Sequence, residues 1–373
     1  MVDSNSPLRV LHIISGDLWA GAEAQAYALL KHLHPQTILH VVLMNNGELA
    51  NRLNDLNIQT TILAETKLSS FDILIQLIKL IRNFNPDIVH THRQKENILG
   101  GLANFFAFLQ SKKRPKSIRT VHGAPEFSPN RKQRLQAWLD HFIGRYLQQG
   151  VIAVSEELSQ KLKKVFPPSH IHVVHNGVDF TDLMARAKKA EFKEIQPHHR
   201  HIGIIGRLEP VKRIDIFLEM AKILLTDKAN PPLVFHIIGE GSLRSAMEKK
   251  AVELGIAEHV KFHGHRTDIA SCICSLDVIV MCSDHEGTPM TALEALALGT
   301  LLIAHNVGGL QELLHTQKEL LVTEHNPINY SKVVSKFLTI NSSKPRLDAR
   351  YTADCNAQSI LNIYNNLVVK ANE

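Results

Sequence analysis

Aromatic side chains are scarce in this chain: they make up 6% of 373 residues, and only two are Trp. The basic runs contain no interleaved aromatics, so the stacking platforms of nucleic-acid binders have no counterpart here. Four cysteines, three of them at 272, 274 and 282 in an apolar stretch, are too few for a disulfide framework and read as reduced structural thiols. The longest apolar segment, FDILIQLIKLI, is about half a membrane span and carries Asp72 and Lys79. The opening MVDSNSPLRVLHIIS has an acidic residue where a secretory leader needs basic ones. A cytoplasmic protein is the expectation. No Asp-x-Asp pair occurs, and neither a G-x-G-x-x-G nor a P-loop signature is present.

What is present is an alternation. RVLHIIS, LHVVLM, IQTTIL, DIVHTH, SIRTVH, GVIAVS and IHVVHNG recur as short strand-like runs, with amphipathic stretches between most of them. A polar segment, ARAKKAEFKEIQPHHR, interrupts the series, which then restarts with HIGIIGRLE, LVFHIIGEG, VKFHGH, DVIVMCS and TLLIAHNVGG. This pattern predicts an α/β chain of two doubly wound, Rossmann-like domains, residues 1–185 and 186–354, with ligand binding in a central cleft at the strand C-termini. A last helix, 355–373, fits either domain. The net charge of +6 is one-sided: up to Arg186 there are 21 Lys+Arg against 15 Asp+Glu, and beyond it 21 against 21. That excess favours an anionic partner for the first half.

Three strand–loop–helix junctions carry candidate chemistry. In SGDLWAGAEAQ, Gly16 and Gly21 could let backbone amides approach an anion, or simply shape a tight turn. In IIGRLEPVKRID, Arg207 and Lys212 flank a loop and suit a diphosphate, the alternative being two surface cations. In DHEGTPMTALEALALG, Glu286 can reach a ligand hydroxyl. The amides of Thr291, Ala292 and Leu293 would form an anion-attracting helix start, and Glu294 can accept two bonds from a ribose diol. His90 and His92 would share one face of a strand without an evident third metal ligand, so structural or binding-site roles are favoured. The 22 histidines look scattered.

Taken together, EGTPMTALEALALGTLLIAHNVGGLQELL, AGAEAQAYALLKHL, PDIVHTH, TVHG, VIAVSE, IHVVHNGVD and IIGRLEPVKRID resemble, in order, the segments of glycosyltransferase family 4. These are retaining nucleotide-sugar transferases of GT-B fold with an E-x7-E motif. The resemblance implies a nucleotide-sugar donor, with a uridine base favoured, bound by the second domain, and a carbohydrate or lipid-linked acceptor at the first. It implies that Arg207 and Lys212 neutralise the donor diphosphate, that Glu294 binds the ribose, and that Glu286 contacts the transferred sugar, with Gly287 allowing close backbone approach. His122 would bond the sugar, Gly16 and Gly21 would offer amides, and His265 and Arg266 would flank the base. No metal or other cofactor is expected. An epimerase of similar fold and a non-catalytic sugar-nucleotide binder are the alternatives. Thr288, after Glu-Gly, departs from the family's common residue and becomes a candidate for donor choice. The segment FSPNRKQRLQAWLDHFIGRYLQQG suggests peripheral docking on an anionic membrane, although a core-facing helix would show the same pattern.

Overall fold

The computed structural model describes residues 6–17, 19–109, 111, 114–123, 131–188, 198–339 and 347–369. The chain divides into two compact units, 1–177 with 350–373, and 178–349. The sequence reading put the divide at 185/186. The short helix Phe180–Arg186, capped by the Asp179 side chain, instead belongs to the second unit. It is tied there by Ser271, whose hydroxyl donates to the Arg186 carbonyl.

The first unit is a seven-stranded parallel sheet. Its strands are β1 (Arg9–Ile14), β2 (Ile38–Leu43), β3 (Gln59–Ile62), β4 (Ile88–Thr91), β5 (Lys116–Val121), β6 (Gly150–Ala153) and β7 (Ile171–Val173), in the order β3-β2-β1-β4-β5-β6-β7. Strand alternation divides the core. Val10, Ile14, Ile88 and Ile118 face one side, packed with residues of helices Gly21–Leu33 and Ala353–Val369. Leu11, Ile13 and Val89 face the other, packed with residues of helices Ser70–Phe84 and Gln94–Ala107. Local chemistry starts and stops these elements. Ser69 and Asp72 form a reciprocal capping box, and Asn85 ends that helix in the left-handed conformation. The last helix joins this unit: Asn356 donates to the His175 carbonyl and accepts from Gln25, whose own oxygen takes the Gly177 amide.

The second unit holds β8 (Arg200–Ile205), β9 (Leu233–Ile238), β10 (Val260–Gly264), β11 (Val278–Met281), β12 (Leu301–His305) and β13 (Leu321–Val322), all parallel, in the order β10-β9-β8-β11-β12-β13. Each sheet therefore reverses its strand order once, at β1/β4 and at β8/β11, and a doubly wound sheet opens a crevice at such a point. Both expected Rossmann-like sheets are present. At two residues, β13 is too short to show a pattern of its own in the sequence.

Candidate functional site

The β8/β11 crevice of the second unit gathers the cations and acids singled out in the sequence. After β8 the chain turns through Gly206, at φ +156°, and the exposed Arg207 into a short 3-10 turn that ends at Lys212. Lys212 Nζ donates to Glu286 Oε1 at 2.5 Å, and Ser283 Oγ donates to the same oxygen at 2.6 Å. The Glu286 side chain is only 9% exposed and Lys212 20%. The two loops also share a backbone bond, Asp284 N to Val211 O. Three residues that had no assigned role hold the loop in place. Arg213, in the left-handed conformation at φ +49°, bonds Asp215 and reaches Asp284. His305 and His325, stacked at 3.8 Å, contact the carbonyls of Ser283 and Cys282. A residue of unusual φ beside Lys212 has no sequence signal, and the two histidines come from separate parts of the chain.

Gly287 lies at a close approach of two backbone segments. A Cβ on Gly309 would stand 2.0 Å from the Gly287 carbonyl, so only glycine fits there. Thr288 is 2% exposed, and its hydroxyl would be 3.0 Å from that same Cβ. It packs inside the loop, which corrects its reading as a pocket-lining specificity residue. The helix Met290–Leu298 begins after Pro289 and ends on left-handed Gly299. Ala292 and Leu293 do not offer their amides, because both donate to the Pro289 carbonyl. The Leu293 bond is the ordinary i to i−4 bond of the helix and the Ala292 bond a 3-10 type i to i−3 one, so of the three expected amides Thr291 is the one with no backbone acceptor among the described residues, and Met290 precedes it.

Glu294 sits one turn into that helix. It has no hydrogen-bond partner among the described residues, and burial pushes its carboxyl up to about 7, Arg186 offsetting part of the effect. A half-buried acid with no hydrogen-bond partner among the described residues is a candidate acceptor for ligand hydroxyls. Arg266, after β10, is clasped by both oxygens of Asp268 at 2.7 and 2.6 Å, and His265 beside it is exposed. Since all strands are parallel, these residues share the sheet edge that carries Arg207 and Glu286.

In the first unit, Gly16 ends β1 at φ +71°, and Gly21 opens the helix Gly21–Leu33. Glu23, 1% exposed, accepts from Arg93 Nη2 at 2.5 Å, while its other oxygen is buried without a partner among the described residues. Desolvation raises its pKa. Nothing in the local AGAEAQ pattern marks this acid as buried, because its partner Arg93 comes from a distant part of the chain.

The histidines are not scattered. His12 on β1 pairs in register with His90 on β4, and His92 and His122 follow at the ends of β4 and β5, all on one sheet face. His12 Nδ1 lies 3.1 Å from His92 Nε2, and His92 Nδ1 lies 3.3 Å from His122 Nε2. Tyr364 of the last helix places its hydroxyl 2.5 Å from His90 Nδ1 and 3.3 Å from His12 Nε2, and His90 Nε2 meets Thr120 Oγ1 at 2.8 Å. Burial lowers all four imidazoles, His12 to about 3 and His122 to about 4. His12 is thus the third histidine that the strand reading of His90 and His92 lacked. The trio does not form a metal cradle, however. The His90 and His92 rings are stacked at 4.6 Å and 11°, so their in-plane lone pairs run side by side, and the ring nitrogens already face one another, Tyr364 and Thr120. A second ladder of this kind, His201–His236–His263, crosses β8, β9 and β10 at 2.9 and 2.8 Å.

Two family models match the chain in succession, Glycosyltransferase Family 4 over residues 19–182 and Glycosyl transferases group 1 over 185–353. The UDP-Gal:alpha-D-GlcNAc-diphosphoundecaprenol alpha-1,3-galactosyltransferase of Escherichia coli is 27% identical over 344 residues, 88% of this chain and 87% of that protein. Among solved structures, Anabaena Alr3699/HepE in complex with UDP and glucose superposes with a TM-score of 0.73 at 19% identity, over 98% of this chain and 97% of that one. Sucrose-phosphate synthase from Thermosynechococcus elongatus superposes with a TM-score of 0.75 at 16% identity, over 97% and 100%. These likenesses show the shared GT-B fold. With one model matched in each half and a galactosyltransferase aligned along most of its length, the chain belongs to glycosyltransferase family 4.

Proposed function

We propose that the enzyme moves a hexosyl or N-acetylhexosaminyl group, with retention, from a UDP-sugar to a carbohydrate or lipid-linked acceptor in cell-surface glycan synthesis. The observation that carries this reading is the meeting of Lys212 and Glu286 at the β8/β11 crevice, beside Arg207 and the start of helix Met290–Leu298. The names of the relatives add support: the E. coli protein is described with UDP-Gal and a diphosphoundecaprenol-linked sugar, and HepE was crystallised with UDP and glucose.

In this reading Arg207, Lys212 and the amides of Met290 and Thr291 take the charge that grows on the departing diphosphate, the main electrostatic contribution to rate. Glu286 binds hydroxyls of the transferred sugar, Glu294 the ribose diol, and His265 and Arg266 flank the base. On the first unit, His122 bonds a sugar hydroxyl, and Gly16 and Gly21 offer backbone amides. The departing diphosphate helps take the acceptor proton, so a second carboxylate close to Glu286, of the kind retaining hydrolases need, is not required.

The test is a thermal-shift panel of nucleotide sugars followed by a UDP-release assay with and without acceptors. Acceptor-dependent release supports transfer. Isomerised donor formed with no acceptor present would instead establish an epimerase, and donor binding with no turnover a binding protein.

The reaction is further proposed to need no metal. The nearest thing to an acidic metal clamp, Asp284-x-Glu286, is already neutralised by Arg213 and Lys212. Full activity is expected in EDTA, and loss of activity restored by Mn2+ would overturn this.

No helix among the described residues is long and apolar enough to cross a membrane. Residues 127–130 of the basic segment lie outside the described residues; helix Arg131–Tyr146 follows them. Trp138, Phe142 and Tyr146 are exposed by 59%, 42% and 62% and stack along its outer face, so the helix does not turn them into the core. With Arg134 and Arg145 on the same helix, this stripe suits the surface of an anionic bilayer. Co-sedimentation is expected with phosphatidylglycerol vesicles and not with phosphatidylcholine ones; equal binding to both, or none, would refute the docking.

A further inference from the structure

The strand register places four imidazoles and two hydroxyls in series: Thr120–His90–Tyr364–His12–His92–His122. We propose that this chain is a positioning network that holds His122 as its Nε2–H tautomer, leaving Nδ1 as a hydrogen-bond acceptor for a substrate hydroxyl. The proposal rests on the role given above to His122 in sugar binding.

The argument is one of donor counting. A neutral imidazole has one N–H and one lone pair, so a nitrogen–nitrogen contact needs a donor on one side and an acceptor on the other. The tautomers of His12, His92 and His122 are therefore coupled, and the series can run in only two directions. In one direction Tyr364 donates to His12, and His122 ends the series with an outward N–H at Nδ1. In the other Tyr364 donates to His90, His12 donates to Tyr364, His92 to His12 and His122 to His92.

The distances choose between them. Hydroxyl donors approach closer than N–H donors. The Tyr364 hydroxyl is 2.5 Å from His90 Nδ1 but 3.3 Å from His12 Nε2, which makes it a donor to His90 and an acceptor from His12. His90 Nε2 then donates to Thr120 Oγ1 at 2.8 Å. At the far end, His122 Nδ1 is buried and has no partner among the described residues, as an acceptor awaiting a ligand hydroxyl would be. Neutrality of the whole series follows from its burial, which lowers the four imidazoles and raises the Tyr364 phenol. The C-terminal helix crosses back to the first unit and supplies Tyr364, so it takes part in setting the site as well as closing the core.

The test is 15N NMR of the histidine-labelled full chain with Nδ1/Nε2 assignment of His122, alongside kinetics. The wild type is expected to show His122 protonated at Nε2 at pH 7. Tyr364→Phe is expected to give mixed tautomers at His122 and a kcat about tenfold lower with an unchanged KM for donor. Thr120→Val, which removes the terminal acceptor, should shift the tautomer in the same sense and serves if Tyr364→Phe does not fold. A wild-type His122 protonated at Nδ1, or variants with unaltered tautomer and kcat, would overturn the network. His122→Ala with full transfer would instead sink the role of His122 while leaving the tautomer result standing.

Discussion

Replacing Glu286 with glutamine is expected to lower sugar transfer by about 10²–10³-fold, the scale of removing one preorganised electrostatic partner. The same change should leave UDP affinity unaltered or slightly improved. The carboxylate is the acceptor that holds both Lys212 and Ser283, and it is nearly enclosed. A glutamine of the same shape keeps one weaker acceptor but loses the charge that orients the lysine. Once released, Lys212 is free to turn wholly to the diphosphate, and a nearby negative charge that opposed the diphosphate is gone. Binding and chemistry should therefore move in different directions, which a merely structural ion pair would not produce. Initial-rate transfer assays and UDP calorimetry measure the two quantities. Full transfer by the variant would remove Glu286 from the site.

Glu294 yields the second large effect, and it carries a sign. Burial raises its carboxyl to about 7 from an ordinary 4.5. A folded pKa above the unfolded one means that the folded protein binds the proton more tightly. Stability from this group is thus complete below about 4.5 and is lost as pH rises towards 7. Glu294→Gln is expected to leave stability unchanged at pH 4 and to raise it at pH 8 by about 1–3 kcal/mol in the absence of nucleotide. UDP affinity should move the other way, about 10–100-fold weaker at pH 8 through lost bonds from the ribose hydroxyls to a charged acceptor. Wild-type affinity should fall as pH drops below 7, and the variant's should not. Melting curves at the two pH values, with and without UDP, decide the matter. A variant less stable at pH 8 with unchanged UDP affinity would make Glu294 an ordinary structural residue.

Much of this site was legible in one dimension because its parts are local. Lys212 and Glu286 each lie in a strand–loop–helix junction whose strand could be recognised from its apolar run, and an acid interrupting an apolar helix stood out at Glu294. The errors were local too. Leu293 looked like an open amide because the helix start was read too late by a residue, and Ala292 because a 3-10 type bond to Pro289 depends on backbone geometry, not on residue type. Thr288 looked like a pocket residue because the passage of Gly309 against Gly287 brings in a segment some twenty residues away.

By itself, the sequence determined the alternation of strands and helices, the two sheets, and the identity of most of the charged groups at the second unit's edge, since periodicity and turn chemistry act over a few residues. Only the tertiary structure decided which strands became neighbours. His12, His90 and His122 are separated by dozens of residues, and alternation fixes the face each one occupies but not the strand beside it. Once β1, β4 and β5 lie side by side, the same alternation stacks the histidines into a chain and brings Tyr364 over them from the far end of the sequence. The hydrogen-bonded histidine network, the bracing of the Ser283 and Cys282 carbonyls by His305 and His325, and the return of the last helix to the first unit are all consequences of strand order. Strand order is settled by how the whole sheet closes its core, and no local pattern encodes it.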